Sequence, residues 1–249
     1  MKNTNMIEIV GFDKYFEGQT WEQANKSFFD QLAKKYDWLN QVISLGQQKA
    51  YKRQVIEDLK LSSGMRVLDI CTGTGDMALL MAEKTPHLCI DAIDVSAAML
   101  KIAEQKASRL KSGQIRFQIA DALALPFNDN SFDALVMSFG LRNFSDIRLG
   151  LKEAYRVLKP HGRFVCLDLG KPKGWRKVLY YLYYENLMPW LGKVLFHRGE
   201  YNSFFYLSTS NKYFPDPSSI KVMMRQGGFK NIQNKEYMFG GLAQYIAQK

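Results

Sequence analysis

The stretch VLDICTGTGD, Val67 to Asp76, is an apolar run that breaks into two threonine–glycine pairs and closes on an acid. A strand followed by such a loop brings main-chain N–H groups close to a ligand, because Gly73 and Gly75 have no Cβ to hold it off. Asp69 precedes the loop and Asp76 follows it, so whatever binds there meets negative charge. Asp94 ends a second apolar run 25 residues after Asp69, where a carboxylate can accept both hydroxyls of a ribose. After a third run, ADALALPFNDNSFD places Asp121 beside Ala122. A carboxylate and a neighbouring amide can read an adenine amino edge, with Pro126 and Phe127 turning the chain around the ring; the alternative for Asp121 is a simple helix or turn cap. Ser138 ends a fourth run, in ALVMSFGLRN.

Two ligand classes share this layout. A dinucleotide requires a G-x-G-x-x-G loop with a helix N-terminus aimed at pyrophosphate. Here Ala78 occupies the third glycine position, and Asp76 stands where pyrophosphate needs a positive field. S-adenosylmethionine carries no phosphate, and its sulfonium and amino group are cationic, so an acid-flanked loop suits it better.

Strand-like runs at Arg66–Cys71, Cys89–Asp94, Ile115–Ile119, Ala134–Ser138 and Arg163–Leu169 must position these residues. Helical patterns separate them at about Met77–Lys84, Ala97–Leu110 and Ile147–Leu158. Such alternation predicts βαβ units and a parallel sheet. The tail FKNIQNKEYMFGGLAQYIAQK reads as two strands joined at Gly240-Gly241, an antiparallel hairpin at the sheet edge. One domain is expected: a helical extension over 1–60, a cofactor-binding core over 61–170, an aromatic and basic lid over 171–215, and a helix with the hairpin over 216–249.

At 249 residues, with 47% hydrophobic and 23% charged residues, the chain is long enough for one sizeable core and unlike a disordered protein. No apolar stretch near the N-terminus resembles a secretory signal, and no run of about 18 apolar residues predicts a membrane span. Cys71, Cys89 and Cys166 lie in apolar runs without metal-ligand spacing, which reads as reduced cysteines of a cytoplasmic protein. The charge is concentrated. Residues 1–170 hold 22 Lys and Arg against 20 Asp and Glu, whereas residues 171–249 hold 12 against 4. Within the second part, Trp175–Phe214 carries 13 of the chain's 33 aromatic residues. Basic charge mixed with Trp and Tyr suits an anionic lipid surface. It would also stack on and neutralise nucleic acid, and an aromatic lid or core helix pair needs no partner at all.

In their order, VLDICTGTGD, IDVSAAML, ADALALPFNDNSFD, SFGLRN and YRVLKPHGRFVCLDLGKP resemble the class I methyltransferases. KKYDWLNQVISLGQQKAYKR together with SFGLRNFSD narrows the resemblance to the demethylmenaquinone / 2-methoxy-6-polyprenyl-1,4-benzoquinol C-methyltransferases, strongly over Lys34–Pro172. Departures include His161 for a glycine of the L-K-P-G-G turn, Cys71-Thr72 before the loop's first glycine, and a short terminus. The resemblance implies an α/β, Rossmann-like, mostly parallel seven-stranded sheet with helices on both faces, and S-adenosylmethionine contacted by Thr74, Asp94, Asp121, Ala122 and Ser138; the loop and strand ends add Asp69, Gly73, Gly75, Val95 and Met99 as cofactor-binding candidates. It implies C-methylation of a reduced polyprenyl quinone, naphthoquinol or benzoquinol, with reversible membrane-surface contact, no nucleic acid, and a homodimer left open. An NAD(P)-dependent reductase and a methyltransferase with another phenolic or apolar acceptor are the competing readings.

A deprotonated hydroquinone pushes electron density onto the ring carbon that must attack the methyl group, so the phenolate needs a counter-charge. Arg142, just past the fourth strand, is the candidate, with a structural pairing to Asp37 or Asp146 as its alternative. Tyr36 and Asn40 are four apart and Asp37 and Asn40 three apart, hence on one helix face that could close over the site or simply pack. His197 is the candidate proton acceptor near neutral pH, or a structural residue among aromatics.

Overall fold

The structure, a computed structural model, describes residues 18–44, 46–109, 115–182, 206, 210, 211 and 213–249. Among them, seven strands form one sheet: β1 (Arg66–Ile70), β2 (Cys89–Asp94), β3 (Ile115–Ile119), β4 (Phe132–Ser138), β5 (Leu158–Leu169), β6 (Lys230–Tyr237) and β7 (Leu242–Gln248). Their order is β3-β2-β1-β4-β5-β7-β6. The first five run parallel, and β7 pairs antiparallel with both β5 and β6, so the predicted edge hairpin is present. Val67, Leu68, Ala134, Leu135, Val136 and Met137 are all fully buried. Such unbroken apolar strands are what a parallel sheet covered on both faces requires.

Eight helices matter below: α1 (Trp21–Leu32), α2 (Tyr36–Ile43), α3 (Gln48–Leu59), α4 (Asp76–Lys84), α5 (Ala97–Arg109), α6 (Ile147–Val157), α7 (Arg176–Tyr181) and α8 (Pro217–Gln226). A reciprocal cap between Thr20 and Gln23 starts α1, which then buries Trp21, Ala24, Asn25 and Phe28. Those four positions share one face of a 3.6-residue period, so the helix is held by its stripe rather than by propensity. Asp146 caps α6 by accepting from the Leu149 N–H. Asp216 caps α8, whose first residue is Pro217.

Most element ends lie within two residues of the sequence reading, and two places differ more. β5 begins at Leu158 rather than Arg163, because Leu158 pairs with Phe132 before a register shift. Pro160, left-handed His161 and Gly162 fall within that irregular stretch; residues of this kind read as a turn, while the bulge keeps them in the strand. In the hairpin, a 3-10 turn over Met238–Gly240 precedes Gly241. Most of the aromatic segment, His197 included, lies outside the described residues.

Candidate active site

Strand order reverses beside β1, with β2 on one side and β4 on the other, and in open α/β sheets ligands bind past the strand ends at such a point. A cleft of about 830 Å³, part of it open to solvent, lies there. Two glycines make room for its floor. Gly75 has φ +82° and caps α4; a Cβ there would stand 2.8 Å from the Ala103 Cβ. At Gly140 a Cβ would meet the Cys71 Cβ at 2.6 Å, so the loops after β1 and β4 can touch only without it.

Each strand end contributes. After β1 come Cys71 and Gly73; after β2, Asp94, Val95 and Met99; after β3, Ala120, Asp121 and Ala122; and after β4, Ser138, Phe139 and Asn143. Glu22, Asn25 and Phe29 of α1 and Tyr36 of α2 close the opposite side. Asp94 Oδ2 accepts from the Gly73 N–H and Oδ1 from the Ser96 N–H, both at 2.9 Å, so the carboxylate is fixed before any ligand arrives. Burial raises its pKa, and those amides work against the rise. Asp121 Oδ1 accepts from the Leu123 N–H at 2.8 Å, the turn-capping geometry.

A smaller polar recess adjoins the cleft, lined by Tyr36, Asn40, Lys52, Asp69, Thr74 and Ser138 among others. The Thr72 hydroxyl donates to Asp69 Oδ2 at 2.6 Å. Asp69 Oδ1 and Ser138 Oγ are buried without a hydrogen-bond partner among the described residues. Burial raises the Asp69 pKa to about 7, against the opposing Thr72 hydrogen bond. Burial also raises Tyr36, with Asn40 and Arg142 countering, so its hydroxyl keeps its proton at neutral pH.

Beside the loop, acids and lysines form a chain. Lys52 Nζ lies 2.9 Å from Asp76 Oδ2, and Lys106 Nζ lies 2.8 Å from Asp76 Oδ1 and 2.5 Å from Asp37 Oδ2. The Thr74 hydroxyl donates to Asp37 Oδ1. Burial alone would raise the Asp76 pKa, but Lys52 and Lys106 outweigh it and hold it low. The negative field expected of Asp76 is thus neutralised, while Asp69 Oδ1 has no hydrogen-bond partner among the described residues.

Arg142 does not stand at the mouth. It is buried on a 3-10 turn, Leu141–Asn143, and pairs with Asp168 rather than with Asp37 or Asp146. Its guanidinium donates to Asp168 Oδ1 and to the Phe139 carbonyl, both at 2.9 Å, and its N–H donates to Asp168 Oδ2. The Nε–H has no partner among the described residues. Asn143 on the same turn accepts from the Trp21 indole through its carbonyl and from the Tyr206 hydroxyl through its side chain.

The main cleft therefore brings together Tyr36, Gly73, Asp94, Val95, Met99, Asp121, Ala122 and Ser138, and the recess adds Asn40, Asp69 and Thr74. Gly75, Asp37 and Arg142 support it from behind. Sequence reasoning overlooked Asn25, Phe29, Asn143 and Asp168. Asn25 was detectable as the one amide in the buried stripe of α1.

The family model described as "ubiE/COQ5 methyltransferase family" matches residues 18–249. A demethylmenaquinone methyltransferase of Thermotoga maritima is 42% identical over 215 residues, 86% of this chain and 90% of that protein. The ubiquinone/menaquinone biosynthesis C-methyltransferase UbiE of Geotalea daltonii is 37% identical over 227 residues, 90% of this chain and 95% of that protein. Among solved structures, a SAM-dependent methyltransferase of Thermotoga maritima, titled a possible histamine N-methyltransferase, superposes with a TM-score of 0.61 at 20% identity, covering 90% of this chain and 99% of that one.

Proposed function

Because the chain belongs to the ubiE/COQ5 methyltransferase family, we propose that it methylates a ring carbon of a reduced polyprenyl quinone with S-adenosylmethionine, turning a demethylmenaquinol into a menaquinol. The observation that carries the cofactor assignment is the recess in which Asp69 Oδ1 and Ser138 Oγ are buried without partners. Two such acceptors beside Thr74 fit an ammonium group, which would satisfy both. Asp94, already oriented by two amides, accepts the ribose hydroxyls; Asp121 and Ala122 take the adenine edge, with Val95 and Met99 beside them. When bound, S-adenosylmethionine supplies a methyl group on a cationic sulfur.

The chain's remaining task is to hold a flat, electron-rich ring in line with that methyl, an effect worth up to about 7–11 kcal/mol. Phe29, Phe139 and Phe144 give the cleft an aromatic wall for it. Tyr36, still protonated, donates to a quinol oxygen, and Asn40 stands beside it in the recess. Arg142 acts one layer back. It fixes the turn carrying Phe139 and Asn143, and its charge, shared with Asp168, sits behind the wall against which the phenolate forms. His197 takes the role of proton acceptor for the proton that the methylated ring carbon gives up. A polyprenyl tail resides in a bilayer, so the enzyme works from the cytoplasm in reversible contact with the membrane.

The test is methyl transfer by the purified protein to demethylated naphthoquinols and benzoquinols, each offered reduced and oxidised. A product heavier by one methyl on a ring carbon is expected with the reduced naphthoquinol and not with its oxidised form. Transfer to other phenols or to fatty acyl groups, with neither quinol accepted, would sink the reading.

A further inference from the structure

Four large apolar side chains stand in solvent within one region. Trp175 is 67% exposed, Val178 62% and Leu182 56%; at spacings of three and four they project from one side of the α7 segment. Phe239, 66% exposed, tips the turn between β6 and β7. The two pieces are joined. Tyr180, on the inner side of α7, lies so close over Gly241 that a Cβ there would meet its ring at 2.7 Å. The Gly170 N–H donates to the Gly241 carbonyl at 2.9 Å.

The turn is strained, with Met238 packed inward against the core and Phe239 held outward. Met238 and Phe239 both have left-handed backbones, with φ of +49° and +57°, a conformation that disfavours any residue with a Cβ. What it achieves is to hold an aromatic ring outward, and such strain is found where function requires it.

Charge surrounds the same patch. Residues 171–182 contain Lys171, Lys173, Arg176 and Lys177 and no Asp or Glu, and the last three are exposed. Its position ties it to the cleft: Leu169 at the end of β5 pairs with Leu242 at the start of β7. Both pieces therefore emerge at the carboxyl end of the parallel strands, where the cleft opens.

We propose that α7 and the Met238–Gly240 turn form a docking face for an anionic lipid surface. Trp175, Val178, Leu182 and Phe239 enter the headgroup layer, and Lys173, Arg176 and their neighbours meet lipid phosphate. Aromatic rings flanked by cations suit that boundary, where one end of each group is apolar and the other wet. Docked this way, the end of the sheet that carries the cleft faces the bilayer. The proposal deepens the reading of a lipid-borne quinol and rests on it for its purpose, though binding itself is measurable without any quinol.

Sedimentation of the full chain with vesicles tests it, using phosphatidylcholine alone and phosphatidylcholine mixed with phosphatidylglycerol. Binding is expected only with the anionic mixture and should weaken as salt rises. Each basic residue near such a surface contributes roughly fivefold, so Lys173→Glu with Arg176→Glu should lower binding by roughly 25-fold or more. Trp175→Ser with Phe239→Ser should lower it at least about tenfold, with the unfolding midpoint unchanged and turnover on a quinol lacking the prenyl chain intact. Equal binding to both vesicles, unaltered binding by the serine pair, or binding only to RNA or to a second copy of the chain would each overturn the proposal. Vesicle binding without methylation of any quinol would remove the proposed function and leave this surface standing.

Discussion

Asp69 is a carboxylate whose task and titration are linked. Buried, with one oxygen unpartnered, it has a pKa raised to about 7 from its ordinary 3.8, and a cationic ligand group needs it ionised. Affinity for S-adenosylmethionine should therefore fall about tenfold between pH 8 and pH 6, since below pH 7 a proton must leave first. Asp69→Asn should weaken binding at pH 8 and abolish that slope; calorimetric titration at several pH values reads both. Without ligand the sign is opposite. A carboxyl raised on folding penalises the native state once ionised, so stability should decline as pH rises from about 4 to about 7 and then level off. Asp94, also raised by burial, adds in the same direction, so the diagnostic quantity is the difference between the wild type and Asp69→Asn in urea unfolding. Arg142 presents the complementary case. Arg142→Ala leaves Asp168 buried without its cation, and a loss of about 3–5 kcal/mol is expected. Arg142→Met combined with Asp168→Leu removes both charges and should recover most of that stability by chemical denaturation. Turnover should stay low in the double variant; if it recovers as well, the pair serves the fold alone. Residues at strand ends, Asp69 and Asp94 among them, were legible because the alternating pattern fixes where strands stop. Asp168 was not, because it meets Arg142 only when β5 lies beside β4.

At the scale of elements, α1 and α2 roof a site whose floor belongs to the sheet, and specific hydrogen bonds and ion pairs tie them to it. Asp37 of α2 accepts from Thr74 and pairs with Lys106. Asp30 of α1 accepts from the Ser96 hydroxyl. The Trp21 indole reaches the Asn143 carbonyl at 2.9 Å. A ligand enclosed beneath such a roof is retained by the bonds that keep the roof shut. Asp37→Ala removes two charge-assisted contacts and leaves Lys106 its Asp76 partner, so cofactor affinity should fall roughly 5–30-fold, from about 1–2 kcal/mol. The unfolding midpoint should barely move. Hydrogen exchange over residues 36–43 should quicken in the same variant; unaltered exchange and affinity would reduce the network to ordinary surface pairing. The helix was legible from the spacing of Tyr36, Asp37 and Asn40, yet the side chains divide. Tyr36 and Asn40 face the chambers while Asp37 turns to the glycine loop, and periodicity alone cannot assign a face its neighbour.

The whole molecule discriminates between ligand classes that the loop alone could not. A glycine loop after a first strand serves dinucleotides and S-adenosylmethionine alike, and the alternation of strands and helices suits both. The arrangement as a whole separates them. The doubly wound dinucleotide sheet ends on a parallel sixth strand, whereas here β7 enters antiparallel between β5 and β6. The loop's acids point the same way, with Asp76 held by two lysines and Asp69 open toward the recess. That pairing occupies both lysines beside the start of α4. Ligand-linked stability turns this into a measurement, because only a molecule that binds the folded state raises the melting temperature. At about one hundred times its dissociation constant a ligand adds about 2.7 kcal/mol, which for a chain of this size is roughly 5–10 °C. S-adenosylmethionine and its demethylated product should both produce such a shift. NAD and NADP, which demand a positive pyrophosphate site, should produce none at the same concentration. A shift with NAD and none with S-adenosylmethionine would return the cleft to the dinucleotide class, and the assignments of Asp69 and Asp94 would fall with it.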